Sequence, residues 1–220
     1  MNDTSRLMRP LRCAALILAM VMALVAAPRL GHAMEATFAD AGDRCILSLR
    51  GAVTPNDPSR FESLVGERPQ CRLVSLDIRA GLLGPALAIG RTIRARGLTT
   101  IVLPDFACVG VCVWILAAGT ERIVLPKAAV GLQYSSFATN DQVQRQVREQ
   151  IKRNGEASAA ATIRAVERAV AQMMAAIVIY SAEMGLTPAV VDAFAQTSPD
   201  APRWLSQREL KEWRLIASPE

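Results

Sequence analysis

Short apolar runs alternate with segments of helical period from Cys45 onward, and their order predicts an α/β domain. Cys45-Ile46-Leu47-Ser48-Leu49 and Cys71-Arg72-Leu73-Val74-Ser75-Leu76 read as strands, the second ending near Asp77. Between them Pro55-Asn56-Asp57-Pro58-Ser59 is a turn and helix-start cluster, after which Phe61, Leu64 and Val65 recur at helical spacing before Gly66. A second helix starts at Pro85, buries Ala86, Ile89 and Ile93, turns Arg91, Arg94 and Arg96 outward and stops at Gly97. Residues 99–103 are short and β-branched, as a buried strand is. The run 111–118 is apolar all round, which predicts a helix enclosed on most sides, and two short strands follow at 122–125 and 128–133.

The pattern changes past Gln133. Residues 134–155 are polar, with Asn154-Gly155 as a break, and fit either a flap or an outer helix. Residues 157–184 are alanine-rich, with Ile163, Val166, Val170, Met173, Met174 and Ile177 near helical period. One long helix is predicted there, its methionines filling a core or an interface. Ser206-Gln207-Arg208-Glu209 is a capping box that opens a last short helix with Leu210 and Trp213 inward.

The N-terminus reads differently. Arg6, Arg9 and Arg12 precede an unbroken apolar run from Cys13 to Ala27, and Gly31-His32-Ala33 offers small residues for cleavage. This is the layout of a secretory signal peptide, residues 1–33, with a mature domain at 34–220. The run is shorter than the roughly 20 apolar residues of a spanning helix, so an uncleaved inner-membrane anchor is the weaker alternative. Without residues 1–33 the net charge falls from +5 to +2, which removes any argument for nucleic acid or a membrane surface as a partner. A periplasmic or secreted location is expected. The chain's single histidine, His32, lies in the leader, so the mature domain has none.

Four cysteines remain, and an even number in an exported chain invites disulfides. Cys45 and Cys71 open two strand-like runs and share one edge if those strands are parallel neighbours. Cys108 and Cys112 are four apart, so one helical turn puts them on one face. They fit a bridge that strains a helix or two buried thiols. Metal binding is not expected, since a zinc site lacks both a Cys-x-x-Cys pair and histidine. No cofactor is expected.

The centre of the chain, Cys108-Val109-Gly110-Val111-Cys112, resembles the Cys-x-Ser-x-Cys pattern of secreted bacterial Clp-protease-like proteins. The stretch from Ala86 to Thr100, then Ala117-Ala118-Gly119-Thr120-Glu121-Arg122, Val130-Gly131-Leu132 and Arg203-Trp204-Leu205-Ser206 follow in the family's order. The resemblance covers most of the mature chain. It implies a Clp-protease/crotonase-like spiral of ββα units, a single domain that assembles into rings or stacked trimers. Carried over, the family's serine position is Gly110, its histidine position is Gln133, and its acidic position falls closest to Ser198. The backbone oxyanion donors fall at Gly81 and Val111. Arg79-Ala80 replaces Pro-Gly before Gly81, and Ala80 is a poor residue for a positive φ.

The resemblance thus implies the fold and withholds the activity, because a Ser-His triad needs both missing groups. Ser135 or Ser136 with Lys127, and Cys108 or Cys112 as nucleophile, are the substitutes to weigh. An exported, inactive Clp-like domain that self-associates and binds a peptide or protein partner is expected. A hydrolase with an unrecognised nucleophile and a structural envelope assembly protein are the alternatives.

Overall fold

A ladder of mostly parallel strands forms the larger of two sheets, and its first parallel pair starts beside Cys45. The computed structural model describes residues 33–41, 44–134, 141–155 and 157–216. The leader expected at residues 1–33 lies outside them apart from Ala33, as do Ser135 and Ser136. Strand β1 (Glu35–Ala41) pairs antiparallel with β2 (Arg44–Val53), Phe38 opposite Leu47. Strand β2 then pairs parallel with β3 (Leu73–Gly81), β3 with β4 (Thr99–Val102) and β4 with β6 (Arg122–Val124). A second sheet holds β5 (Ala107–Val109), β7 (Ala129–Leu132) and β8 (Arg203–Trp204). Its β5 and β7 are parallel, and β8 is antiparallel to β7.

From β4 onward each turn of the chain lays one strand in each sheet and then a helix. Strands β4 and β5 precede helix α3 (Val111–Ala117), and β6 and β7 then pair beside β4 and β5 respectively. This is the spiral of ββα units that the resemblance implies. Helices α1 (Asp57–Glu67) and α2 (Leu83–Ala95) fill the earlier crossovers. Strand β1 went unpredicted because its alternation is weak: Phe38 is its one large apolar residue, among alanines, Glu35 and Asp40. Strand β3 runs past Asp77 to Gly81, since its ladder with Ala52 and Val53 continues after a bulge even where Arg79 and Ala80 face solvent.

The polar stretch forms helix α4 (Asp141–Asn154), and the long helix α5 spans Ala157–Glu183. Helices α6 (Pro188–Ala195) and α7 (Gln207–Glu212) close the chain. Among the described residues, the C-terminal half of α5 meets the core, with Ile177, Tyr180 and Ser181 buried. Met173 and Met174 are partly buried against it, and Met184 lies just beyond the helix. Ile163 and Val166, expected in the same stripe, are exposed. The Tyr180 hydroxyl donates to the Trp114 carbonyl at 2.8 Å. It passes so close to α2 that a Cβ on Gly90 would lie 1.8 Å from its oxygen.

Two guanidiniums collect carbonyls at helix C-termini, where the helix dipole favours a cation. Arg94 donates to Ala117 and Met184. Arg122 donates to Gly119, Met184 and Arg214. Burial, and then the charge of Arg94, lower the Arg122 pKa to about 10. The capping box of α7 is complete, with Ser206 Oγ accepting the Glu209 N–H and the Glu209 carboxylate accepting the Ser206 N–H. That backbone donor, followed by the Ser206 hydroxyl, holds the Glu209 carboxyl below its ordinary value.

Cys45 and Cys71 form a disulfide with Cα atoms 4.7 Å apart, at the shared edge of β2 and β3. It closes a loop of sequence separation 26. Replacing both cysteines by alanine should lower unfolding free energy in urea by about 3 kcal/mol. Because the folded Glu209 pKa is depressed, its contribution is present above the ordinary carboxylate range and lost as pH falls through the folded pKa. Glu209→Gln should flatten the acid limb of a Tm-versus-pH curve; an unchanged limb would show that the capping carboxylate contributes nothing to it.

Candidate functional site

Strand β5 passes into α3 through one residue. Gly110 has φ 60° and ψ −114°, a left-handed backbone that an L side chain rarely adopts. Its N–H donates to the Gly131 carbonyl in β7 at 3.0 Å, and its carbonyl accepts the Val113 N–H at 3.1 Å. The result is a sharp strand–turn–helix elbow, the shape on which hydrolases present a nucleophile. A Cβ at position 110 would meet the Gln133 carbonyl at 3.6 Å and the Gln133 Cβ at 3.9 Å, which is ordinary contact. The serine and histidine positions of the resemblance therefore face each other, with neither side chain present.

Cys108 and Cys112 bridge this elbow. Their Cα atoms are 5.1 Å apart, and both are fully buried. The spacing of four is not a helical turn here: Cys108 belongs to β5 and Cys112 to the first turn of α3. The bridge spans the turn and leaves the helix regular, so the strain expected of it does not arise. As disulfide partners, neither sulfur is a thiol nucleophile.

Gln133 lies just beyond β7, half-buried, and its side-chain amide donates to the Pro199 carbonyl at 2.8 Å. The loop that carries the expected acidic position thus reaches Gln133, through the backbone oxygen of Pro199. Ser198 turns away: its hydroxyl donates to Asp200 Oδ2 at 3.2 Å and accepts the Asp200 N–H at 3.1 Å. That contact ties Gln133 to a loop far along the chain, a pairing with no local signal in the sequence.

The other expected donor lies at the end of β3. Gly81 has φ 138°, and a Cβ there would fall 2.5 Å from the Val53 nitrogen. The positive φ thus falls on the glycine and not on Ala80, which removes the conflict expected there. The next N–H, of Leu82, donates to the Val53 carbonyl. Asp77 joins the arms carrying Gly81 and Gly110. Its Oδ1 accepts the Ala107 N–H of β5 at 3.1 Å, and its Oδ2 accepts from Arg50 at 3.2 Å. At the start of α3 the N–H of Val111 is among those with no intrahelical partner.

Lys127 occupies a turn between β6 and β7 with φ 67°, and its carbonyl accepts the Asp105 N–H. Its expected partners, Ser135 and Ser136, lie outside the described residues. Among the described residues no group of three histidine, cysteine or acidic side chains comes together to hold a metal. Among the described residues the elbow carries the backbone donors of a helix start and no side-chain nucleophile.

No protein-family model matches this chain, and no curated protein does. Solved structures match it, among them a point mutant of the 1510-N membrane-bound stomatin-specific protease, at 14% sequence identity and a TM-score of 0.48. The match covers 77% of this chain and 75% of that one. At that score the likeness gives no residue a role.

Two glycines, two different constraints, give a ranked test. Gly110→Ser has space but keeps a positive φ, so it should cost about 1–2 kcal/mol. Gly81→Ala adds a backbone collision to the same strain and should cost about 3 kcal/mol or more. Urea unfolding of the two variants reads the difference; the reverse order would place the tight point at the elbow.

Proposed function

We propose that this chain is an exported Clp-protease-type domain that has lost catalysis, binds a peptide or protein partner at the elbow, and self-associates. The observation that carries this reading is the elbow itself, kept in shape around Gly110 with Gln133 opposite. Loss of one core member of a triad lowers turnover by about 10⁶ and leaves roughly 10³–10⁴ over water from the oxyanion hole and binding. Here the nucleophile and the base are both replaced, and no histidine follows His32. The two disulfides suit an oxidising compartment outside the cytoplasm, in keeping with export. A structural envelope protein is the second reading, favoured by the exposed apolar side of α5.

The experiment is hydrolysis of a broad ester and peptide panel by the chain from Met34 onward, with Val111→Pro beside it. Proline removes one backbone donor and is tolerated at a helix start. Neither protein should turn over any substrate. Turnover that vanishes in the proline variant would instead reveal a hydrolase with a nucleophile outside the positions described above.

A further inference from the structure

We propose that the bond between Ala33 and Met34 is open to a leader peptidase only before the domain folds, so that the chain crosses its membrane unfolded. This rests on the export proposed above and sets the order of its steps. A leader peptidase takes small residues one and three places before the cut, and Ala33 and Gly31 supply them. Ala33, however, already belongs to the compact unit Ala33–Glu220. It makes a β-bridge to Ala52 of β2, and Ala52 pairs in turn with Ala80 of β3. The residue after the cut is held more firmly. Met34 is 1% exposed and belongs to the main hydrophobic core. Its carbonyl accepts from the Arg60 guanidinium of α1 at 2.8 Å. Glu35, one residue further on, opens β1 opposite Arg50.

Proteases cut exposed chain that can be drawn out straight, and this bond is anchored on both flanks. Ala33 itself is exposed, so its bridge alone protects little; Met34 supplies the rest. To seat the bond, a peptidase must first pull Met34 from the core and part it from Arg60. Cutting of the folded form then follows the small population in which this corner has opened. Freeing one fully buried methionine side chain keeps that population below about a tenth of the whole, before the bridge and the Arg60 bond are counted.

Hydrolysis adds water across the bond, leaving a carboxylate on Ala33 and a new amino group on Met34. In the unfolded chain nothing constrains either residue. A chain that folds first keeps the apolar run from Cys13 to Ala27 as an anchor. The Cys45–Cys71 bridge ties β2, the strand that Ala33 joins, to β3, so closing it early favours the protected form. Cleavage and folding therefore compete for the same few residues.

The full chain in detergent micelles, treated with a purified bacterial leader peptidase, tests this, with product mass followed over time. Trp114→Asp puts a charge at a fully buried position and supplies an unfolded chain in the same buffer, checked by circular dichroism. The folded, oxidised wild type should be cut at least about tenfold more slowly than that variant. Inserting Gly-Ser-Gly-Ser after Ala33 moves the bond away from Met34, and this variant should be cut at the unfolded chain's rate while still folded. Equal rates for the folded wild type and the unfolded chain would overturn the ordering and leave export standing. A folded insertion variant that resists as the wild type does would overturn the part given to Ala33 and Met34. An unfolded chain left uncut after Ala33 would overturn the leader itself, and the export reading with it.

Discussion

The enclosure of α3 is the constraint on which the rest depends. Every residue from Val111 to Ala117 is buried, and Trp114 is fully so. A helix in that position leaves terminal backbone groups away from bulk water, so protein groups must meet its last carbonyls. At the C-terminal end Arg94 and Arg122 donate to Ala117 and Gly119. At the N-terminal end the chain enters from β5 through one residue, with a backbone only glycine adopts without strain. The elbow and the collected carbonyls follow from placing one apolar helix between two sheets.

Much of that frame was legible. Strands β2, β3, β4, β6 and β7 read as short β-branched or apolar runs, and α3 read as enclosed because it has no polar face. The three residues of β5, by contrast, are too few to read as a strand. What escaped was whatever depends on distant partners. Strand β1 lies at a sheet edge and is stabilised by its pairing with β2 more than by its own residues. The two residues of β8 are a strand only because Gly131 and Leu132 lie opposite. A spacing of four between Cys108 and Cys112 does not say which of them is helical, and the boundary falls between them. The bond from Gln133 to Pro199 joins residues 66 apart in sequence. Nothing local announces it.

The long helix shows the same limit in another form. Its period was readable, but period alone does not distinguish a stripe that meets the core from one that leaves it. Tyr180 decides the matter: its hydroxyl bonds Trp114 over the bare backbone of Gly90, and that contact fixes which side of α5 turns inward. The opposite side is equally apolar, so hydrophobicity would not have separated the two faces.

The residues that the resemblance sets at catalytic positions are parts of the scaffold. Gly110 carries the elbow without the strain a serine would hold there. The Cys108–Cys112 bridge fastens the same turn from both flanks. Gln133 donates to a carbonyl without needing a charge, and so ties the loop around Pro199 to the end of β7 whatever the pH. The backbone donors at the start of α3 persist for a different reason: they are the unavoidable end of a buried helix. Their presence follows from the fold. A change at these positions should therefore register first in stability.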